Sequence, residues 1–291
     1  MIRDRKYYTS FSVIKLCDYV LYTGSHIVAY LCINLRPCDI WITIPLKYVI
    51  NGEYMVIDKD LSKIVDVFEV YEEIAEGFSS WRVKPWPIAV LGKSRGGIIV
   101  DLGAGSCING IYVYSFGGKY LLCIDVSYTM DFLSRRSLLN RDVVGDSIAG
   151  DMLFIPIKDN SVDVVLAIAS IHHVPSKFID RVFAEVVRIS VNGALVIITS
   201  WSWRQLRFTI PTLMNIILKL FGLVKSIREY RISWRKKKRT LYRYYYLYTL
   251  DELLKLCRKY RLKVLSYGYT GYLRNKSDNI FIVARVVKNY G

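Results

Sequence analysis

Residues 98–106 read Ile98-Ile99-Val100-Asp101-Leu102-Gly103-Ala104-Gly105-Ser106. Apolar β-branched residues lead into an acid, and glycines follow at alternate positions. That order predicts a buried strand over Ile98 to Leu102, ending in a tight turn that opens a helix. At the carboxyl edge of a parallel sheet such a turn brings bare backbone close to a ligand. Alone it leaves two readings open, a purely structural turn and a ligand-cradling loop.

Outward from this stretch, apolar runs alternate with helical segments, the pattern of a doubly wound α/β sheet with helices on both faces. The candidate strands are Ile98 to Leu102, Tyr120 to Ile124, Val143 to Ala149, Val162 to Ile168, Ala194 to Thr199, Leu262 to Tyr267 and Asn279 to Val287. Upstream, Val67, Phe68, Val70, Tyr71, Ile74, Ala75 and Phe78 recur at helical spacing, with an end expected near Gly77. Residues 1–66, with β-branched runs broken by Asn51-Gly52 and Arg36-Pro37, read as a small strand-rich extension of unreadable function. The division is therefore 1–66 and 67–291.

At 53% hydrophobic and 23% charged residues, the 291-residue chain is globular and not disordered. Its 41 Lys and Arg against 25 Asp and Glu leave +16, a field that attracts phosphate or anionic lipid. Nearly all of that surplus lies beyond residue 66. It concentrates between Lys225 and Arg243, where Lys225, Arg228, Arg231, Arg235, Lys236, Lys237, Lys238, Arg239 and Arg243 meet one acid, Glu229. Tyr230, Trp234, Tyr242, Tyr244 and Tyr245 are interleaved, the combination of a phosphate-tracking, base-stacking RNA surface.

The cysteines at 17, 32, 38, 107, 123 and 257 form no C-x-x-C pair, so no zinc site is written here and a reduced cytoplasm is expected. No signal-peptide layout opens the chain. The most apolar stretch, Phe208 to Val224, is too short to span a bilayer and contains Lys219. It reads as a buried or partner-facing helix, an interfacial membrane helix being the lesser alternative, and no membrane partner is expected.

The ligand-loop reading is strengthened by acids at the ends of neighbouring strands. Asp125 lies about twenty residues past the glycine turn, where a carboxylate can accept ribose hydroxyls. Asp151, in Gly150-Asp151-Met152 after the third strand, suits an adenine amine. Asp101 suits a ligand bearing an ammonium group rather than a pyrophosphate. Together these favour S-adenosylmethionine, with Gly103, Gly105, Met152 and Ile168 beside it.

On these residues the sequence resembles the class I S-adenosylmethionine-dependent methyltransferases, whose sheet is Rossmann-like and seven-stranded. It departs from D-x-G-x-G-x-G at Cys107, which a negative φ would accommodate. Further segments narrow the resemblance to the tRNA wobble-uridine carboxymethyl methyltransferases: Tyr71-Glu72-Glu73-Ile74-Ala75-Glu76-Gly77-Phe78-Ser79 with Arg82-Val83-Lys84-Pro85-Trp86-Pro87; Ile168-Ala169-Ser170-Ile171-His172-His173; Ser200-Trp201; and Arg243-Tyr244-Tyr245-Tyr246-Leu247-Tyr248 with Asp278-Asn279. Tyr246 stands where that family has histidine. The resemblance covers residues 67–291.

What the resemblance implies is a tRNA substrate whose 5-carboxymethyluridine becomes a methyl ester. It implies Arg82 fixing the acceptor carboxylate with help from His172 or His173, Trp201 stacking on the base, and Tyr71 covering the cofactor. Lys236, Lys237, Lys238, Arg243, Tyr244, Tyr245 and Asn279 are then substrate-side residues. It also implies a small zinc-binding activator subunit, with the edge of strand Val143 to Ala149 as candidate surface. A small-molecule methyltransferase and a catalytically silent RNA-binding subunit remain the alternatives.

Overall fold

The computed structural model describes residues 59–93, 97–224, 226–236, 239–270 and 278–288, the side chains of Lys59 and Lys236 excepted; within residues 1–58 it describes only the backbone of short strands. Three of these, Ser12–Leu16, Tyr30–Leu35 and Ile40–Pro45, pair as an antiparallel sheet. The second compact unit spans Lys59–Gly291.

That unit opens with helix α1 (Lys59–Trp81), which starts earlier than Val67 and runs through Gly77. A Cβ at Gly77 would meet nothing within 4 Å, so this glycine sits on an open helix surface. It costs the helix about 1 kcal/mol relative to alanine but does not end it.

The strands expected from the sequence all form: β1 (Ile98–Leu102), β2 (Tyr120–Asp125), β3 (Gly145–Ala149), β4 (Val162–Ala167), β5 (Ser190–Trp201), and, beyond an insertion, β8 (Leu262–Thr270) and β9 (Asn279–Val286). They join in the order β3-β2-β1-β4-β5-β9-β8. The helices between them are α2 (Ile108–Tyr114), α3 (Tyr128–Leu139), α4 (Ile179–Ile189) and α6 (Leu250–Lys259). The sheet is mixed rather than wholly parallel. β9 runs antiparallel to both β5 and β8, with Trp201 opposite Asn279 and Thr270 opposite Asn279 at the functional edge.

The two faces of the sheet divide the core by side-chain alternation. Val100, Leu102, Val165, Val196 and Ile198 pack with Phe183 of α4 and Leu253 of α6. Ile99, Val164, Leu166 and Ile197 pack on the other face with Val113 of α2 and Trp86. A period of two along strands buried on both faces produces this partition. Removing the side chain of Leu166, which is wholly buried, costs roughly 2–5 kcal/mol.

The insertion between β5 and β8 differs from its sequence reading. Helix α5 (Thr209–Leu220) has no buried residue, so it is not the core helix that its hydropathy suggests. The basic, tyrosine-rich run folds as a hairpin of β6 (Glu229–Lys236) and β7 (Arg239–Tyr246), with Trp234 opposite Leu241. Alternation along β7 decides which aromatic groups face inward. No helix among the described residues is long and apolar enough to cross a membrane.

Candidate functional site

A cavity of about 670 Å³ opens at the carboxyl ends of β1, β2, β4 and β5, under α1 and the β6–β7 hairpin. Its cofactor side is built by the glycine turn. Gly103 (φ +65°) and Gly105 (φ +58°) are left-handed, and a Cβ on Gly103 would lie 2.4 Å from Ser170 Cβ. Only glycine fits there. At Gly105 the nearest atom to an added Cβ is Phe78 Cε1, 3.9 Å away across the cavity.

Asp125, at the end of β2, fixes the loop and faces the same space. Its Oδ2 accepts the Gly105 N–H at 2.8 Å and its Oδ1 the Ser127 N–H at 3.0 Å. Each oxygen keeps a lone pair for a ligand hydroxyl. Asp151 accepts the Leu153 N–H at 2.9 Å and lines the cavity with Met152 and Ile168. Burial pushes the Asp125 and Asp151 carboxyls up to about 6, against the backbone hydrogen bonds that pull them down.

Asp101 has a different role from the one expected. It is not among the cavity-lining residues; its carboxylate accepts the Gly110 N–H at 2.9 Å inside α2. Burial pushes it up to about 7. It therefore braces the turn instead of meeting a ligand ammonium. Cys107 also departs from expectation. Its φ is +59°, the left-handed value that the missing glycine would have taken, and its sulfur is joined to Cys123 of β2 in a disulfide. A cysteine in left-handed backbone carries strain, and the crosslink holds it there. Nothing in the spacing of the cysteines pointed to this pair.

The acceptor side is aromatic and cationic. Trp201, Tyr245 and His172 form a triangle of rings in mutual contact, with His172 stacked on Tyr245 at 4.8 Å between centroids and Trp201 4.7 Å from Tyr245. The Trp201 N–H donates to His172 Nδ1 at 3.4 Å, so the remaining ring proton is on Nε2. His173 is held at both nitrogens: Nδ1 donates to the Tyr244 carbonyl and Nε2 accepts from the Tyr71 hydroxyl, each at 2.9 Å. Burial drives both histidines down, His173 to about 3. Neither is a cation at neutral pH; His172 has a neutral donor to offer, and His173 positions Tyr71.

Positive charge comes from arginines instead. Arg82 follows α1 and stacks over Trp86 at 4.6 Å and Trp81 at 5.2 Å. Arg243 of β7 is 5% exposed, with Trp234 at 5.0 Å and Tyr245 at 5.5 Å from its guanidinium. Its Nη1 donates to Tyr71 at 3.4 Å. The sequence reading missed Arg207, which lies 4.0 Å over the Trp201 ring and lines the same cavity. It falls in the insertion, and no spacing rule reveals it.

The remaining expected residues divide. Asn279 lines the cavity, and its buried side-chain oxygen has no hydrogen-bond partner. Tyr245 lines it too, but Tyr244, one residue earlier on β7, points to the other face, where Lys63 lies over its ring. Tyr246 is likewise outside, bonded to Arg228 at 3.0 Å. The departure from histidine there leaves the pocket unaltered. Lys236 pairs with Arg239 at the hairpin end. Lys237 and Lys238 lie outside the described residues.

The residues fit S-adenosylmethionine by chemistry as well as by room. A glycine cradle approaches without side chains, Asp125 retains acceptors for a ribose, and Asp151 and Met152 bound the far end. Residues 100–198 match a family model described as "Methyltransferase domain". The fold resembles a solved S-adenosylmethionine-dependent methyltransferase of Methanosarcina mazei, with a TM-score of 0.59 at 18% identity, covering 71% of this chain and all of that one. Sheet order and glycine cradle give the fold of the class I S-adenosylmethionine-dependent methyltransferases, residues 100–198 carry a methyltransferase domain, and S-adenosylmethionine is its cofactor.

Within that class the sequence is similar to tRNA (carboxymethyluridine(34)-5-O)-methyltransferase ALKBH8 of Macaca fascicularis, 32% identical over 51% of this chain and 22% of that protein. The Schizosaccharomyces pombe tRNA (carboxymethyluridine(34)-5-O)-methyltransferase is 29% identical over 48% of the chain and 58% of its own length. A putative methyltransferase of Encephalitozoon cuniculi is 27% identical over 69% and 89%. The chain thus matches about a fifth of the length of the macaque protein.

Proposed function

We propose that this chain is a tRNA methyltransferase that esterifies the carboxylate of 5-carboxymethyluridine at the wobble position. The observation that carries the reading is the acceptor side of the cavity, where Arg82, Arg207 and Arg243 converge with Trp201, Tyr245 and the His172 Nε2–H. Guanidinium groups suit a carboxylate, and the aromatic faces suit a base turned out of its stack. The relatives named above add support.

The chemistry demands little beyond placement. S-adenosylmethionine, when bound, supplies an electrophilic methyl group. A carboxylic acid of pKa near 4 is already ionised at neutral pH, so no general base is required, which agrees with two neutral histidines. Arg82 and Arg243 hold the carboxylate with one oxygen left free, and Trp201 fixes the plane of the base. Tyr71, itself held by His173, closes the cavity against water. The basic hairpin carries the phosphate contacts, with Arg231, Arg235 and Arg239 exposed.

A zinc-binding activator subunit belongs to the same proposal. β3 ends the sheet, and beside it Phe132, Leu139 and Val144 are exposed at 63%, 76% and 59%. An outer strand edge with no neighbour among the described residues, bordered by apolar side chains, favours strand addition by a partner. A cytoplasmic location goes with a tRNA substrate. The test is transfer of labelled methyl to bulk tRNA, with and without a zinc-binding activator, followed by nucleoside analysis. The expected label sits in a wobble-uridine ester that mild alkali removes. A base-stable label, or label only in small molecules, would sink the esterification reading.

A further inference from the structure

Helix α5 is turned inside out. Its polar groups face the protein: Thr212 Oγ1 meets the Tyr230 hydroxyl at 2.6 Å, and Asn215 Nδ2 donates to the carbonyls of Ile227 and Glu229 at 3.3 and 3.2 Å. The apolar residues face outward. Ile210, Leu213, Met214, Ile217, Leu220 and Phe221 recur at helical spacing along one stripe, with Ile210, Leu220 and Phe221 75–81% exposed. A twelve-residue helix carries such a stripe for about 18 Å. None of these six side chains lines the methyltransferase cavity. Soluble surfaces rarely leave so continuous an apolar ridge uncovered.

Charge selects what covers it. Residues 186–228 contain no Asp or Glu, while Lys219 lies in the helix and Arg204 precedes it. Arg204 and Lys219 are exposed. A second copy would bring two basic faces together, which opposes pairing. RNA has no apolar counterpart for a leucine and isoleucine ridge. An anionic bilayer surface supplies both, acyl chains under the ridge and phosphate headgroups at the cations, and α5 is too short to cross it. Phe221, 75% exposed, caps the C-terminal end of the helix, where an aromatic ring favours a membrane interface.

We infer that α5 is an interfacial anchor that seats this methyltransferase on an anionic lipid surface, against the expectation from sequence that no membrane takes part. The inference is independent of the tRNA reading. Its test is flotation of the full chain with vesicles of phosphatidylcholine alone and of phosphatidylcholine mixed equally with phosphatidylglycerol. Flotation is expected with the mixed vesicles only, weakened by salt, and reduced about ten-fold or more in Leu213→Asp/Leu220→Asp. Unchanged S-adenosylhomocysteine affinity in that variant shows that the fold is intact. Absence of flotation by wild-type protein that binds S-adenosylhomocysteine overturns the inference, as does flotation of the variant at wild-type level. A wild-type dimer in light scattering that the same variant turns to monomer assigns the ridge to a second copy and overturns it too.

Discussion

The cofactor half of the cavity and the acceptor half are built by opposite means. Around Gly103, Gly105, Asp125 and Asp151, backbone amides are tied to buried carboxylates within a parallel sheet, and Cys107–Cys123 closes the turn covalently. The acceptor half is assembled from distant segments: Arg82 after α1, His172 after β4, Trp201 ending β5, and Arg243 and Tyr245 on an inserted hairpin. Its groups are held by ring stacking, by long hydrogen bonds at His172 and Arg243, and by two of ordinary length at His173. A rigid frame suits a ligand of fixed shape. A surface collected from an insertion suits recognition that differs between members of one fold.

The sharpest way to break this division is to alter one half and read the other. Arg243→Ala removes a nearly buried guanidinium from the acceptor side, and methyl transfer to tRNA should fall by roughly 10²–10³-fold, the scale for losing a preorganised charge contact. S-adenosylhomocysteine affinity by calorimetry should hold within about two-fold, since no contact of Arg243 reaches the glycine turn. An equal loss of cofactor affinity would show that the halves are one unit.

Reduction strikes the other half. The Cys107–Cys123 crosslink spans 16 residues, and closing a loop of that size stabilises by about 3 kcal/mol in the chain-entropy account. Reductant should therefore lower the melting temperature by several degrees. Cys107→Gly should lose the same crosslink but recover part of the stability, because glycine relieves the left-handed strain at 107. A melting curve insensitive to reductant would remove the covalent frame from the comparison.

Asp125→Asn comes next. It keeps the shape but replaces one of the two acceptor oxygens by an NH2 donor, so either the Gly105 or the Ser127 amide loses its partner and a ribose loses an acceptor. S-adenosylhomocysteine dissociation constants should rise by roughly ten- to a hundred-fold.

How far each half was legible in sequence follows the same division. Strand β1, the turn at Gly103 and Gly105, and Asp125 lie close together in sequence, so spacing alone located them. The histidine pair was legible as position but not as state, because neutrality comes from burial among Tyr245, Trp201 and Arg243, which sequence does not place. Asp101 was misassigned for the opposite reason: its position fits a ligand acid, while its partner, Gly110, becomes visible only once α2 is folded against β1. Alternation in β7, unrecognised as a strand, decided that Tyr245 enters the cavity and Tyr244 does not. Arg207 and the outward ridge of α5 depend on where the insertion lands, and the apolar run there resembled a core helix.

A smaller effect distinguishes the halves by pH. The Asp125 and Asp151 carboxyls stand at about 6 and Asp101 at about 7 in the folded chain, all raised by burial. A raised folded value means that the native state holds protons the unfolded chain has released. The stability these acids confer is therefore complete below about pH 4 and is lost as pH climbs through 6 to 7. Cofactor affinity should run the other way, tightening through about pH 6 as Asp125 ionises and becomes a better acceptor. Calorimetry with S-adenosylhomocysteine from pH 5 to 8 reads the second trend, and Asp125→Asn should flatten it.

The smallest expected effect is at Tyr246. The family resemblance puts histidine there, and a pocket role would make this position decisive. The structure gives it other work: its hydroxyl accepts from Arg228 at 3.0 Å and donates to Glu252 at 3.4 Å, while Glu252 closes the capping box of α6 with Thr249. Tyr246→His should therefore leave kcat and KM for tRNA within about two-fold and cost at most roughly 1 kcal/mol of stability, the scale of one partly exposed hydrogen-bond network. A large change in KM instead would mean that the hairpin shifts when tRNA binds and turns this face of β7 inward. The acceptor half would then be a surface completed by its substrate, in contrast to the crosslinked frame that holds the cofactor.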